Sequence, residues 1–294
     1  MDKKTQKNNK QDFEFCNKND KFDFEFCNKI VRDFEDSIEH PQKSCSDKLL
    51  TGVDLGTAYI VISVLDEEFH PVCGAYRYAS VVKDGLVVDY MGAVKIVKEL
   101  KKEIEAKLGV ELIYAAAAIP PGTSMNDNGA VKNVLESAGF EVTGVLDEPT
   151  AANSVLQIQD GAVVDVGGGT TGISIFKNGQ VVYTGDEATG GTHFSLVLAG
   201  NYKISFDEAE ELKKDKGRQK EIGLILKPVV QKVASIIANH TKRFKVSNIY
   251  LVGGTCCLEG IETIIEDELS IPTFKPLNPF FVTPIGIAMN CKAV

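Results

Sequence analysis

From Leu49 onward, short runs in which apolar and polar residues alternate are separated by longer stretches in which apolar positions return every three or four residues. Alternation marks a half-buried strand, and a return every three or four marks an amphipathic helix. Strands are predicted over 49–54, 58–65, 72–79, 113–119, 142–146, 161–165, 171–176, 180–184 and 247–252. Helices are predicted over 91–107, 126–138, 149–157, 192–199, 207–215, 219–243, 258–268 and 284–290. Gly139 fits the left-handed residue that ends a helix, and Asp207 fits an N-cap ahead of Glu208 to Lys214. Hairpins interleaved with crossover helices indicate an α/β fold rather than separate α and β domains.

One arrangement occurs twice. Val53-Asp54-Leu55-Gly56-Thr57 and Val164-Asp165-Val166-Gly167-Gly168-Gly169-Thr170 each lie between an apolar run and an alternating one. Each reads as a strand, a glycine turn and a return strand. Glycine turns let backbone N–H groups converge on an anion while the preceding carboxylate faces the same point. Two such clamps suit a polyphosphate carrying Mg²⁺, held between two related lobes.

Residues 1–47 break the pattern. They are rich in Lys, Asn, Asp and Phe, and the heptamer Asp-Phe-Glu-Phe-Cys-Asn-Lys stands at 12–18 and again at 23–29. Two copies are too few for a solenoid. Phe24, Cys27, Val31, Phe34 and Ile38 would share one face of a short helix. Such a segment is either a docking peptide that folds on a partner or a flexible tail, and its charge density favours the tail. The chain accordingly divides into a tail at 1–47, a first lobe at 48–160 and a second at 161–294.

Composition narrows the possible partners. The 294 residues carry 41 acidic and 32 basic side chains, a formal charge of −9, with no arginine-rich stripe, so nucleic acid is not expected. No run approaches the ~20 apolar residues of a membrane span, and the polar start lacks an apolar signal region. No membrane partner is expected, and the expected compartment is the cytoplasm. Cysteines at 16, 27, 45, 73, 256, 257 and 291 form no Cys-x-x-Cys pair, which disfavours zinc and fits reduced thiols.

Asp54 and Asp165 are the first candidates for chemistry, because hydrated Mg²⁺ is held by one or two carboxylates, often through water, plus phosphate oxygens. Thr57 and Thr170 are placed to bond phosphate. In Leu146-Asp147-Glu148-Pro149-Thr150-Ala151-Ala152 an acidic pair ends a strand and Pro starts a helix. Glu148 is then either a carboxylate that orients a water at a γ-phosphate or one favoured by the helix dipole. Gly253-Gly254, after the strand Ile249 to Val252, lets a flat base or ribose come close, or is an ordinary turn. Lys213 and Lys214 flank that base or form a solvated face. His193 has no nucleophile partner and reads as structural. P-loop, His-Glu-x-x-His and Gly-x-Ser-x-Gly patterns are absent.

In chain order, Asp54-Leu-Gly-Thr, Asp147-Glu-Pro-Thr-Ala-Ala, Asp165-Val-Gly-Gly-Gly-Thr-Thr, Leu251-Val-Gly-Gly-Thr and Pro284-Ile-Gly-Ile-Ala resemble the five nucleotide-binding segments of the actin/Hsp70/sugar-kinase ATPase superfamily. Val82-Lys-Asp-Gly-Leu-Val-Val-Asp-Tyr-Met-Gly-Ala, Pro120-Pro-Gly-Thr and Asp186-Glu-Ala-Thr-Gly-Gly resemble the EutJ family of ethanolamine-utilization proteins. The resemblance spans about residues 49–294 and implies two actin-like (ribonuclease H-like) lobes with a nucleotide cleft between them. It implies ATP or ADP with Mg²⁺, the ion held through water by Asp54 and Asp165, and Glu148 orienting the attacking water. Gly56, Thr57, Gly167, Gly168, Gly169, Thr170 and Thr171 would form the phosphate loops, and Gly190, Gly191, Lys213, Gly253 and Gly254 would complete the nucleotide contacts.

For function, the resemblance implies a chaperone or reactivase of bacterial-microcompartment enzymes such as ethanolamine ammonia-lyase. Thr171-Gly172 stands where Hsp70 carries an aromatic and an acid, which implies slow or absent hydrolysis. Only a few residues follow Ala288, so no separate peptide-binding domain is expected, and work on clients would pass through the lobes or the tail. A non-catalytic or filament-forming actin-like scaffold and a small-molecule kinase stay open beside it.

Overall fold

The structure is a computed structural model that describes residues 24–42, 48–122 and 125–293. Helix α1 (Glu25–Glu39) comes first. The first lobe contains β1 (Leu50–Leu55), β2 (Tyr59–Leu65), β3 (Pro71–Tyr78), a small hairpin of β4 (Val82–Lys83) and β5 (Leu86–Val87), α2 (Tyr90–Leu108), β6 (Tyr114–Ile119), α3 (Met125–Ser137) and β7 (Glu141–Asp147). Helix α4 (Glu148–Leu156) leads to the second lobe: β8 (Gly161–Val166), β9 (Thr171–Lys177), β10 (Gln180–Glu187), α5 (Gly191–Tyr202), α6 (Phe206–Lys214), α7 (Gln219–Thr241), β11 (Ile249–Val252), α8 (Ile261–Leu269) and β12 (Thr273–Phe274). Helix α9 (Val282–Met289) follows.

The two lobes repeat one wiring. The first sheet runs β3-β2-β1-β6-β7 and the second β10-β9-β8-β11-β12. In each, an antiparallel three-strand meander is extended by two parallel strands joined through helices. Alternation along each strand sends side chains to different layers. Val53, Ile60, Ile62 and Ala117 join α2 and α3 in an outer core, while Val61, Leu65, Ala116 and Ala118 face inward. Val163, Tyr250 and Val252 of the second sheet face the same inner core, and Val164, Ile173 and Leu251 face α5 to α8 outside.

Between the sheets lie α1, α4 and α9, and the space is narrow. A Cβ on Gly286 of α9 would strike the carbonyl of Ala151 in α4, and one on Gly52 of β1 would strike the backbone of Ala288. The buried Ser63 hydroxyl donates to the Pro284 carbonyl at 2.6 Å. Helix α9 therefore packs on the first sheet although it follows the second in the chain.

The N-terminal reading changes most. Residues 25–39 are a docked helix, not a flexible tail, because Cys27, Ile30, Val31 and Phe34 are buried in the inner core of the same chain. The predicted apolar face is the face that docks, and Gly74 of β3 leaves the gap that Phe34 fills. The first heptamer copy, 12–18, lies outside the described residues. Helix α6 is capped by Ser205 rather than Asp207: the Ser205 side chain accepts from the Glu208 N–H, and the Glu208 carboxylate accepts from the Ser205 N–H. Helix α8 starts at Ile261 rather than 258, since Gly260 at φ 77° breaks the approach to it.

Gly286→Ala is expected to destabilise the protein by about 2–3 kcal/mol, because backbone on both sides leaves no slack. Gly200→Ala, in open space on α5, is expected to be neutral or stabilising by up to about 1 kcal/mol. Thermal melts of the two variants check the contrast.

Candidate nucleotide site

Each sheet presents its glycine loop at the same place, between the central strand and its antiparallel neighbour. Asp54 and Asp165 are the penultimate residues of β1 and β8, paired with Val61 and Gly172. The loop tips meet across the cleft. A Cβ on Gly168 would lie 3.2 Å from Thr57 Cβ, and one on Gly169 would lie 2.7 Å from Thr57 Oγ1 and 2.9 Å from the Asp84 nitrogen. Glycine is needed there because opposing backbone leaves no room for a side chain.

Behind the second loop stands a backbone scaffold. The Gly167 carbonyl accepts from the Gly191 N–H at 2.9 Å and from Thr255 Oγ1 at 2.7 Å. The Gly168 carbonyl accepts from the Thr192 N–H at 2.8 Å. Gly190 sits so close that a Cβ would lie 2.8 Å from the Gly167 oxygen and the Thr170 nitrogen. Thr171 is fully buried and donates to the Thr189 carbonyl at 2.6 Å. Thr171, Gly190 and Gly191 thus hold the loop from behind and are not on the cavity wall.

The loops close over a cavity of about 330 Å³ at the lobe interface, a size typical of small-molecule sites. Asp54, Gly56, Thr57, Glu148, Asp165, Gly167, Gly168, Gly169, Thr170, Lys213, Gly253 and Gly254 all reach its wall. Lys213 is neither a free cation nor part of a solvated face. Its Nζ donates to Glu210 Oε1 at 2.7 Å, Ser195 Oγ at 2.8 Å and the Gly191 carbonyl at 3.2 Å. Lys214 is exposed and paired with Glu211 at 2.5 Å, yet it also reaches the cavity wall, where its Nζ donates to the Tyr59 hydroxyl of the other lobe at 3.4 Å.

Electrostatically the cleft is strained. Desolvation, then the Asp165 charge, raises the Asp54 carboxyl to about 7. Asp165 rises to about 6 through burial, offset by the Thr283 hydroxyl, which donates to its Oδ2 at 2.5 Å. Burial pushes Glu148 well up, with Asp165 and Asp54 adding to it. Asp147 beside it serves a structural purpose: its Oδ1 accepts the Thr150 N–H and the Ser174 hydroxyl, both at 3.0 Å, and so caps α4.

Sequence reasoning missed several contributors. Thr283 precedes the recognised Pro284 segment, and its contact with Asp165 spans 118 positions. Asp186 stands in the sequence only within the segment Asp186-Glu-Ala-Thr-Gly-Gly, with no local pattern that marks it as a site residue. It sits opposite Gly172 on the neighbouring strand, burial raises it to about 6, and its Oδ1 is buried without a hydrogen-bond partner. Glycine at 253 is required for a reason other than base access, since a Cβ there would strike Asp165 Oδ1. Tyr59 and Phe280, edge to face at 5.3 Å, bring aromatic surface to the wall from both lobes.

The donor set fits Mg²⁺ with a polyphosphate. Asp54, Glu148 and Asp165 line the cavity with no cationic partner among the causes of their shifts, and the glycine loops border the same cavity of about 330 Å³. Among the described residues no three His, Cys, Asp or Glu side chains converge to hold a metal directly. Mg²⁺ does not need that, because it retains several waters and takes phosphate oxygens.

Known proteins share this architecture. The chain is 44% identical over 243 residues to the ethanolamine utilization protein EutJ of Escherichia coli (strain K12), covering 82% of this chain and 86% of that protein. The chain belongs to the EutJ family of ethanolamine-utilization proteins. The crystal structure of EutJ from Carboxydothermus hydrogenoformans superposes with a TM-score of 0.85 at 47% identity, over 89% of this chain and 97% of that one. Among solved structures outside the EutJ family, MreB5 of Spiroplasma citri bound to ADP matches in fold with a TM-score of 0.65 at 18% identity, over 82% of this chain and 95% of that one. The family model for type IV pilus assembly protein PilM matches residues 149–290. This chain thus has the two-lobed actin-like ATPase fold.

The raised acids fix the sign of a pH effect. Between its ordinary value near 4 and about 7, folded Asp54 keeps a proton that the unfolded chain has lost, so stability is lost as pH rises through that window. Without nucleotide or Mg²⁺, Asp54→Asn is therefore expected to melt several degrees above the parent at pH 8. The gap is expected to shrink at pH 5, and calorimetric melts at the two pH values measure it.

Proposed function

We propose that this EutJ-family chain is a Mg-dependent ATP-binding switch of ethanolamine utilization that hydrolyses ATP slowly and acts as a chaperone or reactivase on the pathway's enzymes. The observation that carries the reading is the meeting of two glycine loops from opposite lobes beside the carboxylates of Asp54, Glu148 and Asp165 at one cavity. Asp54 and Asp165 would hold Mg²⁺ through water, and the ion supplies the positive charge that offsets the triphosphate and the two carboxylates. Thr57, Thr170 and the loop backbones grip phosphate, while Gly254 and Phe280 leave a flat surface for the base.

Glu148 supplies the chemistry of water attack. It starts α4 at the cleft, and burial holds its proton affinity high, which suits a group that accepts a proton from water. Gly172 adds no side chain beside the loop and packs against Pro121 and Pro149, in keeping with slow turnover. Closing and opening of the lobes would carry the nucleotide state to the partner enzyme. The reading places the protein in the cytoplasm in association with a bacterial microcompartment. Among the described residues no helix is long and apolar enough to cross a membrane.

Calorimetric titration with Mg-ATP and Mg-ADP is expected to show saturable, Mg-dependent binding, and its absence overturns the proposal. Glu148→Gln is expected to lower phosphate release by about 10²-fold or more while ADP affinity is kept. Tight binding with no phosphate release from the parent protein would replace the ATPase with a nucleotide-sensing scaffold.

A further inference from the structure

Helix α1 lies on the joint between the lobes. On the first-lobe side, Phe34 fills the gap over Gly74, where a Cβ would sit 2.5 Å from its ring. The Gln42 N–H donates to the Val72 carbonyl at 2.8 Å, and Lys107 Nζ donates to the Ile38 carbonyl at 3.3 Å. On the second-lobe side, Phe24 stands edge-on to Tyr250 of β11 at 6.4 Å.

It also packs on α4 and α9, and it reaches residues 277–281, the segment that crosses from β12 of the second sheet to α9 on the first. The Leu277 N–H donates to Asn28 Oδ1 at 2.8 Å, and Asn278 Nδ2 donates to Glu35 Oε1 at 2.5 Å. The rings of Phe34 and Phe281 meet at 5.2 Å. The other side of the same segment is cavity wall: Asn278 and Phe280 both line it. Asn278 Oδ1 accepts the Phe280 N–H at 3.1 Å, and the Pro279 carbonyl accepts the Gly253 N–H at 3.0 Å. A single thickness of chain thus separates α1 from the cavity.

We propose that α1 is a strap across the two lobes, and that its seating on residues 277–281 is coupled to what occupies the cavity behind them. The proposal rests on the reading of that cavity as a nucleotide site. Rotation of one lobe against the other must either move residues 277–281 away from α1 or drag α1 from Gly74, because the helix is fastened on both sides. Coupling of this kind is reciprocal: if bound nucleotide tightens the strap, loosening the strap weakens the nucleotide by the same factor. Removal of α1 would then alter nucleotide affinity, whereas a free docking tail would leave it untouched.

Hydrogen exchange on the full chain, with and without Mg-ADP, tests this at α1 and at the loops 54–57 and 167–170 together. The expected result is protection of the loops and roughly tenfold slower exchange within α1. In the Asn28→Ala/Glu35→Ala variant, which alters no cavity residue, ADP affinity is expected to fall roughly fivefold or more and α1 to stop responding. Protected loops with unchanged α1 exchange overturn the strap alone. Loops and α1 both unchanged overturn the nucleotide reading and the strap with it. A variant that binds and responds like the parent overturns the route through residues 277–281.

Discussion

The structure depends on a joint with almost no thickness. Two helices, α4 and α9, pass between two sheets, and at their crossing a glycine of one lies on the main chain of the other, Gly286 on Ala151. On the flank, Gly52 admits α9 to β1 and the alanines of β6 keep the inner face shallow. Backbone-to-backbone packing of this kind is rigid along the contact and unforgiving of bulk. It also fixes where the cleft opens. The N-terminal ends of both helices, Glu148 in one and Thr283 in the other, arrive at the cavity because the sheets are held at that separation.

Against this tight joint stands a deliberately poor piece of electrostatics. Asp54 and Asp165 belong to different lobes, Glu148 begins the helix between them, and burial disfavours the charge on each. A fold selected only for stability would replace them with amides or small apolar groups, since burying an unpaired carboxylate destabilises the native state. Thr283 relieves one oxygen of Asp165 and does nothing for Asp54. The deficit of positive charge is thus concentrated where the lobes face each other, and it is the kind of local conflict that marks a functional site.

How much of this could be read from the residues depended on the range of each signal. Central strands ending in Asp and a glycine turn are local features, and period-two patterning around Val53 and Val164 was enough to find them. The direction each loop residue faces is not local. Thr171, Gly190 and Gly191 look like phosphate contacts in a linear motif, yet packing turns them behind the loop. Lys213 looked exposed because its partners Glu210 and Ser195 converge only once α5 and α6 pack together. The apolar face of α1 was visible, but its receptor was not, since the key position is Gly74, a residue with no side chain to advertise a socket. Asp207 seemed the natural cap for α6 because the Ser205–Glu208 box begins two residues earlier, in a stretch without strong periodicity.

Joint, charge and strap together set a direction for motion. With both carboxylates ionised, Asp54 and Asp165 would repel across the cleft, and the close crossing of α4 and α9 at Gly286 leaves no slack for sliding. A cation and a phosphate chain between the loops would offset that repulsion. The crossover at 277–281 enters α9 directly at Val282, so any rotation of that helix would reach it first outside the cleft. An element meant to sense the cleft without entering it would sit there, on the far side of one strand of chain, and α1 occupies that place with polar contacts to Leu277 and Asn278 that a small rotation would break.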